Sequence, residues 1–214
     1  MYSPVHNTFF VHVPKTAGSS VEKWLWDANG FPNKDLIFTN KYSQYESRNF
    51  LFGYVEGLGD LCQHMKSKFA IESHLKEFTE AKYKFSIVRN PFDRFVSEYY
   101  FLQKIKPNDT ITWKLLLEQY HDNSRKWIHF HEQHTFLYDG QNLLVDDVFR
   151  FEDLQFMEKT LKEKLSPRFK LYFENKNPKK DERHYSEIIP KEYKNELIEK
   201  CKLDCEIFGY EFEE

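Results

Sequence analysis

Apolar residues are concentrated in three short runs along the chain, each followed by polar residues and then by helical spacing. The runs are Phe9–Val13, Tyr83–Val88 and Leu143–Phe151. Nearly continuous apolar runs of this length are typical of strands that are buried in a parallel sheet. The pattern therefore predicts an α/β fold with a central parallel sheet flanked by helices, in a single domain of residues 1–214.

Helix signals lie between and after these runs. The first predicted helix ends near Asn29 and Gly30, and the second begins at Pro91 with Asn90 as its cap. Further helical segments are predicted at 113–133, 152–165 and 190–208.

Residues 31–60 have no clean period but contain many aromatic side chains, namely Phe31, Phe38, Tyr42, Tyr45, Phe50, Phe52 and Tyr54. Disordered segments are poor in such residues, so we expect irregular structure that packs over a cleft. The aromatic rings of this segment can stack on a bound ligand, although packing into the core explains them equally well.

The turn after the first apolar run is made of small residues and one lysine. Pro14 ends the strand because proline has no donor for the ladder, and it is followed by Lys15, Thr16, Ala17, Gly18, Ser19 and Ser20. Gly18 lets the backbone approach a ligand closely, and the serines can cap the next helix and offer hydroxyl groups to an anion. The turn therefore predicts an anion-binding loop, with an ordinary strand-to-helix turn as the alternative.

The order of residues in this loop differs from that of nucleotide triphosphatases, whose lysine follows the second glycine. Here Lys15 precedes Gly18, and no acidic partner for Mg²⁺ is evident on a second strand. A P-loop kinase acting on a small molecule is therefore the weaker enzyme alternative. A non-catalytic module that binds a nucleotide or a carbohydrate is the alternative from another class.

A second candidate phosphate site follows the second apolar run. Arg89 lies at the end of that strand, and Ser97 follows eight residues later (97 − 89), on the second turn of the predicted helix. The arginine can act as a forked charged donor and the serine as a hydroxyl donor to one anion. The alternative is structural, with Arg89 capping the helix or pairing with Asp93.

Composition and charge limit the partners. A chain of 214 residues with 40% apolar residues is long enough for one sizeable core, and a net charge of −3 gives no general attraction to nucleic acid. Three cysteines without metal-ligand neighbours favour a reducing compartment, so we expect a cytoplasmic protein. Neither a signal peptide nor an apolar run of about 18 residues is present, so no membrane segment is expected.

Together, the two motifs resemble the phosphate sites of sulfotransferases that use 3'-phosphoadenosine 5'-phosphosulfate (PAPS), in the branch related to carbohydrate (family 2-type) sulfotransferases. Pro14–Ser20 resembles their 5'-phosphosulfate loop, and Arg89 with Ser97 resembles their 3'-phosphate site. The likeness covers nearly the whole chain, since 145–154 resembles the family's late strand and helix and 208–210 its C-terminal ending. The resemblance implies a P-loop-type domain.

The resemblance also implies a reaction, namely in-line transfer of a sulfuryl group from PAPS to a hydroxyl acceptor, without a metal. The implied acceptor is a carbohydrate or glycoconjugate. Lys15 is implied to stabilise the leaving oxygen, while the 5'-phosphate is implied to bind to Thr16, Ala17, Gly18, Ser19 and Ser20.

The base that removes the acceptor's proton is implied to be His64, which lies 25 residues before Arg89 (89 − 64). The residues after it, Met65–Lys68, depart from the small hydroxyl or alanine residues that family members often have, so His74 is the reserve candidate. A basic segment before the last helix often folds over the cofactor in such enzymes, which makes Lys176 a further cofactor-binding candidate.

Overall fold

The computed structural model describes residues 1–30, 49–59, 62–120, 125–172 and 183–214, without the side chains of 125–127. The chain divides into two compact units. The first unit consists of residues 1–88 and 135–174, and the second of residues 89–134 and 175–214. The single domain of residues 1–214 stays a prediction.

The described strands form two sheets. They are β1 (Tyr2–Ser3), β2 (Thr8–Val11), β3 (Tyr83–Val88), β4 (Tyr138–Asp139), β5 (Asn142–Leu143) and β6 (Asp147–Arg150). The central sheet has the order β1-β2-β3-β6, and β4 pairs with β5 in a separate hairpin. β2, β3 and β6 are parallel, whereas β1 is antiparallel to β2. The predicted α/β fold with a mostly parallel central sheet is confirmed.

The helices in the described ranges are α1 (Gly18–Ala28), α2 (Ser67–Glu72), α3 (Lys76–Thr79), α4 (Pro91–Ile105), α5 (Trp113–Gln119), α6 (His134–Leu137), α7 (Leu154–Lys164), α8 (Tyr185–Ile188) and α9 (Lys191–Phe208). Short 3-10 helices are formed by Cys62–His64, Arg125–Phe130 and Phe151–Asp153. In the part of the chain that the structure describes, no helix combines the length and the apolar character needed to cross a membrane.

The core of the first unit covers both faces of the sheet. Phe10 of β2 packs with Phe85 of β3 on one face, in a cluster that includes Val21 of α1 and Met157 of α7. Side chains alternate along a strand, so Phe9 points to the other face. There its ring meets the ring of Phe78 in α3, with 5.0 Å between centroids.

The register of the parallel strands brings their carboxyl ends to one edge of the sheet. Val11 pairs with Ser86, and the buried Ser86 hydroxyl donates to the Val11 carbonyl at 2.7 Å. The loop that carries Lys15 leaves β2 at this edge, and the chain passes from Val88 directly into Arg89. Ligands of open α/β sheets bind at such edges.

The second unit is helical and has its own core. Helices α4, α5, α8 and α9 contribute to one buried cluster, which contains Phe92, Phe95, Leu116, Leu117, Tyr185, Leu197 and Cys201. Asn90 is the N-cap of α4, as predicted, and its Oδ1 accepts from the backbone N–H groups of Phe92 and Asp93. α9 ends at Phe208, as predicted, and Gly209 is its C-cap with a left-handed φ of 65°.

Two sequence predictions of secondary structure are wrong in part. The helix predicted at 113–133 ends at Gln119, and Arg125–Phe130 forms a 3-10 helix. The run at 143–151 forms a parallel strand only over Asp147–Arg150. Leu143, at its start, belongs to β5, which pairs antiparallel with β4 across the turn at Gly140.

The aromatic segment contributes to the core of the first unit. Phe50 and Phe52 are buried and pack against Trp26, with ring centroids 5.2 and 6.0 Å from its own. Tyr54 is exposed. The other aromatics of the segment, Phe31, Phe38, Tyr42 and Tyr45, lie outside the described residues.

Candidate functional site

The loop between β2 and α1 has an alternating backbone conformation. Lys15 and Ala17 have positive φ angles of 69° and 67°, whereas Thr16 between them does not. Each left-handed position costs a non-glycine residue about 1–3 kcal/mol, so the surrounding structure must hold the loop in this form. Alternation of this kind turns successive backbone N–H groups to one side and forms an anion-binding concavity.

The loop leads directly into the N-terminus of α1. Ala17 is the N-cap and makes no side-chain capping hydrogen bond. The prediction that Ser19 or Ser20 caps this helix is wrong, because the helix begins at Gly18 and both serines lie inside its first turn. The partial positive charge of a helix N-terminus favours an anion at this position.

Two hydroxyl groups of the loop hold its shape. The Thr16 hydroxyl donates to the Val13 carbonyl at 2.8 Å, and the Ser20 hydroxyl donates to the Tyr172 carbonyl at 2.6 Å. The hydroxyl protons of both residues are therefore used inside the protein. An anion here would be bound by backbone N–H groups and by two half-buried side chains, Lys15 and Ser19.

A buried histidine and glutamate lie directly behind the loop. His12 follows β2 and Glu22 belongs to α1, and they are 5% and 2% exposed. Nδ1 of His12 lies 2.8 Å from Oε1 of Glu22, so one hydrogen bond joins the two ends of the loop. A Cβ on Gly18 would lie 2.0 Å from Cδ2 of the His12 ring. The ring therefore explains why residue 18 has no side chain.

Burial strongly affects the Glu22 carboxyl. It raises the pKa of Glu22 from 4.5 to about 8, although the nearby Met1 amino group acts in the opposite direction. A protonated carboxyl can donate to Nδ1 of His12, and an ionised one can accept from it. The contact between the two side chains therefore persists in either state.

The structure places His64 next to the same residue. Nδ1 of His64 lies 3.0 Å from the His12 carbonyl oxygen, and the two rings have centroids 4.4 Å apart. A carbonyl only accepts hydrogen bonds, so Nδ1 carries the proton and Nε2 is the basic nitrogen of the neutral ring. The reserve candidate, His74, lies on an exposed turn with φ of 51°.

In the second unit, Arg89 is buried and paired with a carboxylate. Its Nε donates to Oδ2 of Asp93 at 2.7 Å, and Nη2 donates to the same oxygen. The structural alternative for Arg89, a pair with Asp93, is therefore present. Asp93 and Ser97 are four residues apart in α4 and share a face of the helix. Asp93 thus holds the guanidinium group on the helix face that carries Ser97.

One predicted site residue is not described by the structure, and two residues of the candidate site were not predicted. Lys176 lies outside the described residues. His12 and Glu22 were not predicted, although the sequence carries a signal for each. His12 is the polar residue within the apolar run Phe9–Val13. Glu22 lies one helical turn after Gly18 and one turn before the buried Trp26. Over the described ranges, no group of three or more His, Cys, Asp or Glu side chains is arranged to hold a metal ion.

Comparison with models of protein families identifies a family for nearly the whole chain. A sequence model of the sulfotransferase family matches residues 1–211 of the chain. No curated protein and no solved structure matches. The matched range includes the loop from Lys15 to Ser20, His64, Arg89 and Ser97.

We predict that Gly18→Ala lowers the free energy of unfolding by about 1–3 kcal/mol, because the new methyl group must displace the His12 ring. Removing the ring makes room for the methyl group. In a Gly18→Ala/His12→Ala double variant, the loss of unfolding free energy should therefore be smaller than the sum of the two single losses by about 1 kcal/mol or more. Urea unfolding of the wild type, the two single variants and the double variant measures this difference. Losses that simply add would show that the two residues do not compete for space.

We also predict that Glu22 makes stability fall with rising pH. With its pKa raised to about 8, folded Glu22 keeps a proton that the unfolded chain releases above about 4.5. Relative to Glu22→Gln, the free energy of unfolding of the wild type should fall by up to about 1.4 kcal/mol per pH unit between about pH 4.5 and about pH 8. Burial lowers the pKa of the Met1 amine to about 5, which acts oppositely, and the comparison therefore uses two proteins that both keep this amine, although Glu22→Gln removes the Glu22 charge that raises its pKa. A stability difference that is constant from pH 5 to 8 in urea unfolding would contradict the raised pKa.

Proposed function

The chain belongs to the sulfotransferase family, and we propose that it transfers a sulfuryl group from PAPS to a hydroxyl group of a carbohydrate or glycoconjugate. The reaction class, transfer of a sulfuryl group, follows from the family. One observation chiefly supports the choice of donor. The backbone alternates at Lys15 and Ala17 just before a helix N-terminus that has no side-chain cap. Such a turn fits a phosphate group.

The proposed donor has two phosphate positions, and each is assigned to one motif. The residues Lys15, Thr16, Ala17, Gly18, Ser19 and Ser20 would hold the 5'-phosphosulfate, chiefly through backbone N–H groups. Arg89 and Ser97 would hold the 3'-phosphate, which distinguishes PAPS from ATP and from adenylyl sulfate. Lys176 is retained as a cofactor-binding candidate on its position in the sequence alone.

Two side chains are assigned to the chemistry. During transfer, a bond forms between the acceptor oxygen and sulfur while the bond between sulfur and the bridging oxygen breaks. Lys15 stabilises the negative charge that develops on the bridging oxygen. His64 accepts the proton of the acceptor hydroxyl at Nε2, since Nδ1 is held by the His12 carbonyl. The bound donor supplies the sulfuryl group, and no metal is part of the proposal.

The acceptor and the compartment are further parts of the proposal. The resemblance to carbohydrate sulfotransferases supports a sugar hydroxyl as the acceptor. Tyr54 is 48% exposed, and an exposed aromatic ring suits stacking on the apolar face of a sugar. The low number of cysteines, three in the chain, supports the cytoplasm as the compartment.

We predict that Arg89→Ala weakens binding of 3',5'-bisphosphoadenosine by about 10- to 100-fold, because it removes charged hydrogen bonds to the 3'-phosphate. Binding of 5'-AMP, which lacks that phosphate, should change by less than about twofold. Isothermal titration measures the affinity for each nucleotide. The matched control is Arg168→Ala, which removes an exposed arginine side chain. Unchanged affinity for the bisphosphate in Arg89→Ala would remove this arginine from the site.

We predict that His64→Ala lowers kcat by about 10²- to 10⁴-fold, the usual contribution of a general base, while affinity for the bisphosphate stays close to wild type. The exposed His74→Ala should retain wild-type kcat. Sulfate transfer from labelled PAPS at saturating acceptor measures this difference. A wild-type rate in His64→Ala would exclude it as the base, and a loss confined to His74→Ala would assign that role to His74.

A further inference from the structure

Arg89 is held at its backbone as well as at its side chain. The Arg89 N–H donates to Oε1 of Gln133 at 2.9 Å, and Nε2 of Gln133 donates to the Arg89 carbonyl at 2.8 Å. The Gln133 side chain is fully buried. Its amide thus satisfies both polar backbone groups of the residue that follows β3, as a neighbouring strand would do.

Gln133 is in turn held by a buried carboxylate of α9. Asp204 accepts the Gln133 backbone N–H at 2.7 Å and the His134 backbone N–H at 2.9 Å. It also contacts Nδ1 of His134 at 2.9 Å. Asp204 has no exposed surface. These contacts give the buried carboxylate several donors, and they fix the position of the backbone from which the Gln133 amide extends.

The network lies wholly within the second unit and leads to Arg89. Gln133 holds the Arg89 backbone, Asn90 caps the helix that follows, and Asp93 holds the guanidinium group. A fork of N–H donors recognises a phosphate only when it points in the right direction. The direction of the Arg89 side chain depends on the backbone that Gln133 holds.

We propose that Gln133 is a positioning residue for the 3'-phosphate of the donor, and that it acts through the backbone of Arg89 while Asp204 holds Gln133 in place. This inference rests on the proposed function, in which Arg89 binds the 3'-phosphate. It adds a role in discriminating the donor to two residues that do not contact it. Neither Gln133 nor Asp204 is a catalytic residue.

The first test is Gln133→Met, which keeps similar bulk but removes both hydrogen bonds to Arg89. Affinity for 3',5'-bisphosphoadenosine should fall about tenfold, while affinity for 5'-AMP stays within about twofold. The matched control is Gln103→Met, on an exposed position of α4. In an Arg89→Ala background, Gln133→Met should cause little further loss, because the side chain through which it acts is gone. Thermal unfolding shows that each variant is folded at the titration temperature.

The second variant, Gln133→Glu, keeps the proposal testable if the methionine variant does not fold. A protonated glutamate presents one donor and one acceptor to Arg89, as glutamine does, whereas an ionised one has lost the donor. Burial favours the protonated form, so the loss should appear as pH rises. Relative to wild type at the same pH, the loss of affinity for the bisphosphate should grow as pH rises, toward about tenfold when the introduced carboxyl is ionised.

The outcomes separate the two proposals. If the wild type binds the bisphosphate no better than 5'-AMP, the proposed function itself fails. If the wild type prefers the bisphosphate and Arg89→Ala loses the preference, but Gln133→Met and Gln133→Glu keep it at every pH, only the positioning role fails. Equal losses for both nucleotides in the Gln133 variants would also overturn the positioning role, because they would indicate a general structural effect.

Discussion

The ring of His12 fills the space in which a side chain on residue 18 would lie, and the same ring is hydrogen bonded to Glu22 one turn further along α1. The end of β2 and the start of α1 are therefore held together, and the residues between them must turn sharply. The positive φ angles of Lys15 and Ala17 are consistent with this restraint. The backbone carbonyl of His12 also fixes the ring of His64, so the loop and the candidate base are positioned by one residue.

Charge acts locally in this protein. The net charge of −3 gives no general attraction to an anion, so recognition of the proposed donor would have to come from a few fixed groups. In the proposed site, the groups of the first unit are the backbone N–H groups at the start of α1 and the side chain of Lys15. In the second unit Arg89 is paired with Asp93, and the proposed 3'-phosphate would compete with that carboxylate. The pairing also restricts the orientations of the guanidinium group, and such preorganisation reduces the entropic cost of binding.

Local signals explain which parts of the fold could be predicted from the sequence. The strand Tyr83–Val88, the Asn90 cap and the helix end at Gly209 depend on neighbouring residues, and all three are confirmed. The pairing of Asn142–Leu143 with β4 was missed, because a short hairpin competes with the apolar run. The candidate site shows the same limit. Its motifs could be recognised in the sequence, but the partners that hold them come from distant positions, as Gln133 and Asp204 do for Arg89.

Donor recognition is tested by isothermal titration of the wild-type protein, without metal, with 3',5'-bisphosphoadenosine, 5'-AMP and ATP in parallel. The two charged motifs predict that the bisphosphate binds at least about tenfold more tightly than either of the other nucleotides, because only it presents a 3'-phosphate to Arg89. The contrary result would be tighter binding of ATP once Mg²⁺ is added, which is the behaviour of a kinase, or the absence of binding by all three nucleotides.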